Sequence, residues 1–405
     1  MVSSNNDISL FQMLSKLFIP TSTDSLLQAQ RALLRSTVKH SHVEHKEVFI
    51  STGRMNYIEV TRHGRTQDPQ SYKSTLVLCH GLGCGLGFFF PNYDALSLLF
   101  DRIIAIDWMG MGGSDRIRYP KRLATTSMLN SMASPLLPFS WGRKEPNLQQ
   151  PTDFFLDSLD ELLRLERADS FTLAGHSLGG YLTARYTIKY PHKVKALALI
   201  SPVGLPTPPP ASSQEEKLPF SLAMIQFLWA ANLTPQGIIR ATGPRGRGLV
   251  RSMVERRFRR ERQDGVITWS ADEVDLITDY MYHVTAAPAS GELAMNTLLQ
   301  PVFSVKQHQG QSRITGGVYA REPLLQDLAT ALGNKSNTNR KIPLLVMFGD
   351  RDWLRYDGAE EDMQHLRNSH GINASLDIIG NAGHHLYLEN PKGFEEAMKR
   401  WLESF

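Results

Sequence analysis

The stretch FTLAGHSLGGYL, residues 171–182, constrains this chain more than any other. A short apolar run ends in Gly175-His176-Ser177-Leu178-Gly179, a G-x-S-x-G pattern. A helical pattern then runs from Leu178 until Pro191 stops it. Strand, serine, helix is the context in which such a serine sits on a sharp turn with its hydroxyl raised above a sheet. Side chains flanking that turn would collide with the adjoining strand and helix, so glycine at both flanks is a steric requirement. The helix opening at Leu178 also aims its free N–H groups at the reacting oxygen. A turn serine with packing glycines would satisfy the bare pattern; the strand before and the helix after favour a nucleophile.

A nucleophilic serine needs a base and an acid that orients the base. In a sheet of this kind they follow in the order serine, acid, histidine. LLVMFGDRDW, residues 344–353, ends a late strand and offers Asp350 and Asp352. Asp352 is preferred, because the turn after Gly349 lets its carboxylate reach back, whereas Asp350 suits bracing the turn. IIGNAGHHLYLENP, residues 378–391, offers His384 and His385 after the last strand. His384 is chosen as base, with His385 as the alternative. The oxyanion of an acyl-transfer intermediate requires two backbone donors. Leu178 supplies one and Leu82, in HGLGCGLGFF at residues 80–89, is the candidate for the other. Gly81, Gly83, Gly85 and Gly87 would let that main chain come close to a substrate. The loop does not match a phosphate cradle, and His80 reads as its brace.

Around these motifs, apolar strands alternate with amphipathic helices. STLVLCHG, DRIIAIDW, SFTLAG, KVKALALI, IPLLVMFGD and SLDIIG are the strands. Residues 153–168 and 178–190 are helical, as is the final PKGFEEAMKRWLESF. KEVFI and MNYIEVTRHG read as a hairpin. The alternation breaks twice, at a Ser-, Met- and Pro-rich surface insertion (116–151) and at a mainly helical stretch (203–335). The expected fold class is therefore α/β, a mostly parallel, doubly wound sheet interrupted by a helical lid. Its parts would be an N-terminal amphipathic segment (1–45), a first half of the core (46–202), the lid, and a second half of the core (336–405). In the first part, Leu10, Met13, Leu14, Leu17 and Phe18 fall on one face of a helix that either packs on the body or anchors at a membrane surface.

The 405 residues carry a net charge of +4, too little for bulk charge to imply a nucleic-acid partner. Two cysteines, Cys79 and Cys84, make neither a disulfide framework nor a four-ligand zinc site. No cofactor or metal is required by the chemistry above. No apolar run is long enough to span a bilayer, no secretory signal is evident, and residues 1–35 match a mitochondrial presequence poorly.

Several of these segments, together with DWMGMGGSD, RATGPRGRGLV and DYMYHVTAAPASGELAM, resemble one lipid-acting branch of the α/β-hydrolases. That branch holds abhydrolase-domain proteins four and five, fungal cardiolipin-specific deacylases and plant lysophospholipid acyltransferases. The resemblance covers roughly residues 20–405, the insertion excepted. It implies an α/β-hydrolase fold and a serine enzyme acting on glycerophospholipids, with Ser177 as nucleophile, Asp352 as acid and His384 as base. One member has lost its serine and acts as a lipase co-activator; this chain keeps Ser177. The branch also carries a His-x-x-x-x-Asp signature linked to acyl transfer. Here His384 begins the matching run and Glu389 stands at the aspartate position, so hydrolysis ranks above transfer. The resemblance to the fungal deacylases keeps a mitochondrial address open beside the cytoplasm or lipid droplets.

Within the lid, residues 240–262 hold nine arginines, following the apolar and aromatic LPFSLAMIQFLWAANL. That composition suits docking on anionic lipid, each arginine near the surface adding about 1 kcal/mol. The expectation is a peripheral, intracellular enzyme that cleaves acyl esters of phospholipid. Acyl transfer to a lysophospholipid and a non-enzymatic lipid-surface adaptor are the rival readings.

Overall fold

The computed structural model describes residues 21–64, 73–117, 149–209, 219, 222, 224, 226, 228, 229, 233–264, 269–308, 311–333 and 341–405. The amphipathic stretch at 9–18 and most of the 116–151 insertion lie outside the described residues.

Eight strands form one sheet in the order β1-β2-β4-β3-β5-β6-β9-β10. β1 (Ser41–Ile50) and β2 (Gly53–Arg62) are an antiparallel hairpin, and β2 also runs antiparallel to β4 (Arg102–Ile106). From β4 onward the neighbours are parallel: β3 (Thr75–Cys79), β5 (Phe171–His176), β6 (Val194–Ile200), β9 (Leu344–Gly349) and β10 (Ala374–Ile379). The central strands are unbroken apolar runs because both faces are covered. In β3, Val77 and Cys79 join one core and Leu76 and Leu78 the other. Helices α3 (Gln149–Leu165) and α4 (Leu178–Lys189) cover the first face through Phe155, Leu159, Leu162, Leu182 and Tyr186. Helices α1 (Thr23–Thr37) and α2 (Tyr93–Leu99) and the C-terminal helix (Pro391–Leu402) supply Leu26, Leu33, Tyr93, Phe394 and Met398 to the second. Each such side chain, fully buried, contributes about 1.5–3 kcal/mol.

Strand order reverses between β3 and β5, since the chain leaves β3 for β4 on one side and returns to β5 on the other. At such a switch point the loops leaving the two strands part and open a crevice at the carboxyl edge of the sheet. The ends of β9 and β10 open on the same edge.

Between β6 and β9 lie α5 (Pro235–Ala241), α6 (Gly246–Asp264) and α7 (Ala271–Ala286). Ser270 caps α7 in a reciprocal capping box with Glu273. α7 packs against α1 and α6, and Thr21 Oγ1 lies 3.0 Å from His283 Nδ1. The same region contains an antiparallel pair, β7 (Leu299–His308) and β8 (Gln311–Ala320), which the helical reading of 203–335 did not foresee. Pro301 and the Gly316-Gly317 pair weaken the strand signal there, and a two-stranded ribbon tolerates them because it has no central strand.

Candidate active site

Ser177 follows β5 and precedes α4 with φ 56° and ψ −118°, a left-handed conformation that costs a non-glycine residue about 1–3 kcal/mol. The surroundings hold it there. Its N–H donates to Ile200 O at 2.9 Å, and its carbonyl accepts from Tyr181 N at 3.1 Å. A Cβ on Gly175 would run into Gly179 O and Thr183 Oγ1, and one on Gly179 into His80 O. Both glycines are therefore fixed by backbone that cannot yield.

The structure brings Ser177, His384 and Asp352 into one line. His384 Nε2 lies 3.0 Å from Ser177 Oγ, and His384 Nδ1 lies 3.1 Å from Asp352 Oδ1. With Nδ1–H donating to the carboxylate, Nε2 is left to accept the serine proton. Asp352 is buried and also accepts from Leu354 N at 3.0 Å. Burial alone would raise its pKa; the hydrogen bond and charge of His384, helped by the Leu354 amide, outweigh that and hold it below the ordinary carboxylate value.

The alternatives sit elsewhere. Asp350 accepts from Asn381 N at 3.1 Å and Ala382 N at 2.9 Å, bracing the loop that leads to His384. His385 Nε2 lies 3.4 Å from Cys84 Sγ, and its ring lies against those of Phe88 and His176. Glu389, the acid of the histidine signature, accepts the Gly383 N–H at 2.6 Å and so holds the residue before His384.

Above the serine lies the loop from β3. A Cβ on Gly81 would be 3.0 Å from Ser177 Cβ, so the loop passes directly over the nucleophile position. Among the described residues, the Leu82 and Leu178 amides have no protein acceptor. His80 is fully buried and donates from Nδ1 to Gly81 O at 2.7 Å while Nε2 accepts from Trp108 N at 3.2 Å. Burial lowers its pKa against the opposing charge of Asp107.

Three contributors escaped the sequence reading. Asp107 is completely buried and accepts from Leu86 N, Gly113 N and Asn56 Nδ2, each at 2.7 Å. Tyr280, from lid helix α7, accepts the Gly87 N–H at 3.0 Å. A Cβ on Gly87 would lie 2.7 Å from the Tyr280 ring, and one on Gly85 would strike its hydroxyl. These two glycines admit the lid, where the sequence had suggested substrate. His176, the unremarked second residue of G-x-S-x-G, bonds through Nε2 to His384 O at 2.9 Å. It thereby ties the histidine loop to the serine turn. A cavity of about 850 Å³ opens beside His384, lined by Phe88, Phe90, Ile277, Met281 and Trp353.

Residues 74–391 match the α/β hydrolase fold family, and the chain belongs to it. Within that family it falls in the lipid-acting branch. It is 32% identical over 394 residues to the 1-acylglycerol-3-phosphate O-acyltransferase of Arabidopsis thaliana, covering 94% of this chain and 81% of that one. It is 29% identical over 383 residues to 1-acylglycerol-3-phosphate O-acyltransferase ABHD5 of Rattus norvegicus (94% and 89% covered). A (lyso)-N-acylphosphatidylethanolamine lipase of Bos taurus is 27% identical over 333 residues (82% and 80%). Among solved structures, carboxylesterase CesB of Bacillus subtilis superposes with a TM-score of 0.54 at 17% identity, over 95% of this chain and 99% of that one, a likeness of fold alone.

Proposed function

We propose that the chain is a serine hydrolase that cleaves acyl esters of glycerophospholipids. The observation that carries this reading is the line Ser177 Oγ–His384 Nε2 at 3.0 Å and His384 Nδ1–Asp352 Oδ1 at 3.1 Å, beside a cavity with apolar walls. His384 takes the serine proton as Oγ attacks the ester carbonyl. Asp352, kept ionised, stabilises the resulting imidazolium. The Leu82 and Leu178 amides receive the oxyanion. His384 then returns the proton to the leaving lysolipid alkoxide, and water, activated by the same imidazole, clears the acyl-enzyme.

Phe88, Ile277 and Met281 suit an acyl chain. At the cavity rim, Met253 and Trp353 are exposed beside Arg256, and Leu249 and Ile238 of the lid helices are exposed as well. This face is the proposed contact with an anionic membrane. Its charge is smaller than the arginine count suggests. Arg240 is engaged by Glu292, Arg247 by Asp279, and Arg251 by Glu255 and Asp275.

Acyl transfer is the second reading, favoured by the names of the plant and rat relatives. It differs only in what clears the acyl-enzyme, a lysolipid hydroxyl in place of water. One assay separates the two: labelled phospholipids, cardiolipin among them, are offered with a lysophospholipid acceptor, and free fatty acid is measured against captured acyl chain. Release dominating, and vanishing in Ser177→Ala, is the expected result. Capture dominating would reverse the ranking, and full function without the serine hydroxyl would leave the adaptor reading.

A further inference from the structure

Beside the proposed active site three side chains capable of binding metal converge. One ligand atom each from Cys84, His176 and His385 lies within 4.8 Å of the other two. They come from the loop after β3, from the serine turn and from the histidine loop, so no local spacing announces them. One separation bears on what they could bind. Cys84 Sγ and His385 Nε2 are 3.4 Å apart, close to the ~3.5 Å that a thiolate and an imidazole span on one tetrahedral zinc ion. The third ligand atom, from His176, lies within 4.8 Å of both. His176 uses Nε2–H for the His384 carbonyl, so a neutral ring has its lone pair on Nδ1; that atom lies 3.4 Å from the Tyr387 hydroxyl, a long contact that an ion would replace. His385 and His384 line the cavity, which provides the entry path.

We propose that Cys84, His176 and His385 form an inhibitory site for a borderline or soft divalent transition-metal ion, with Zn²⁺ as its simplest occupant. One thiolate and two neutral imidazoles are ligands suited to zinc and leave a fourth position for water. Binding releases the Cys84 thiol proton to solvent, so the ion and its thiolate carry a net charge of +1. The His176 and His385 rings lie 4.7 and 5.4 Å from the His384 ring, centre to centre. In the proposed reaction His384 must become a cation, and a like charge at that distance opposes it. The ion would also occupy the wall of the cavity next to the oxyanion loop.

The metal site stands independently of the proposed hydrolysis; its inhibitory effect rests on that reading. The test titrates Zn²⁺ and, separately, Co²⁺ into the purified full chain. Dialysis with metal analysis reads the first, and the near-ultraviolet thiolate-to-cobalt band reads the second. Neither readout needs turnover. The expected result is one ion per chain with a thiolate band. Cys84→Ser abolishes the band, and His385→Gln weakens Zn²⁺ binding at least about tenfold. Fluorophosphonate labelling of Ser177 slows as Zn²⁺ saturates, and a chelator restores it. Absence of a thiolate band in the unaltered chain, or unchanged affinity in both variants, would overturn the site. Zn²⁺ bound through Cys84 without slower labelling would overturn the inhibition. A metal-free chain that never labels would count against the hydrolase reading and leave the site intact on its spectrum.

Discussion

Ser177 and the loop that covers it meet at one edge of the sheet but are held there by different means. The serine turn is fixed from within the core, by two glycines pressed against backbone and by hydrogen bonds to Ile200 and Tyr181. The covering loop is fixed partly from outside, by the Tyr280 hydroxyl of a lid helix, and partly from within, by the buried Asp107 carboxylate. A position set by unyielding backbone should respond to substitution as all or nothing. A position set by a lid contact should respond by degrees, and should feel whatever moves the lid.

The largest effects should fall on the core side of this comparison. Ser177→Ala is expected to lower acyl-ester cleavage by about 10⁴-fold or more, and Asp352→Asn by about 10³- to 10⁴-fold, because a neutral amide neither stabilises the imidazolium nor enforces the Nδ1–H tautomer of His384. Asp350→Asn, which still accepts from one of its two amides, should cost about tenfold or less and act through stability. Steady-state rates of the three purified variants check the order; equal losses at 350 and 352 would mean that the orienting acid is misassigned.

Next come the lid contacts. Gly87→Ala would press a methyl against the Tyr280 ring and should cost about 10²-fold in kcat if the loop must shift by about 1 Å. Tyr280→Phe keeps the ring and still removes the acceptor for Gly87 N–H, so about tenfold is expected, in kcat more than in KM. Should Tyr280→Phe prove as damaging as Asp352→Asn, the lid would be part of the catalytic frame and the contrast drawn above would fail. Smaller again is Glu389. Ala at 389 orphans the Gly383 amide and should destabilise by about 1–3 kcal/mol, whereas Gln retains an acceptor and should keep most of the stability. Denaturant midpoints of both variants distinguish a brace from a group that touches substrate.

The same contrast explains which features the sequence could announce. Ser177, Asp352 and His384 each sit at the end of a strand written as an apolar run, with glycine marking the turn, so neighbouring residues revealed them. Tyr280 is 193 residues from Gly87, and nothing in DYMYHV marks a tyrosine that will enter a glycine notch. Gly85 and Gly87 were visible as close approaches, but sequence does not say what approaches. His176 was hidden by standing at a position where the motif permits any residue. The β7–β8 ribbon was not legible because its strands are diluted by Pro301 and Gly316-Gly317, in a segment otherwise patterned for helices.

The finest test concerns the charge of Asp352. Its folded pKa is depressed, despite burial, by the hydrogen bond and charge of His384. A depressed carboxylate contributes stability that is fully present above its unfolded value, about 3.9, and is lost as pH falls through the lower folded value. Through this carboxyl group, folded and unfolded chains bind different numbers of protons mainly in that interval. Unfolding free energy of the native chain should therefore fall with acid more steeply below about pH 5 than that of Asp352→Asn, with the two curves parallel above it. Urea midpoints measured every half unit from pH 3 to pH 7 give the slopes. Parallel curves throughout would mean that the carboxylate gains nothing from His384 in the folded state, and the orientation of the imidazole would then need another source.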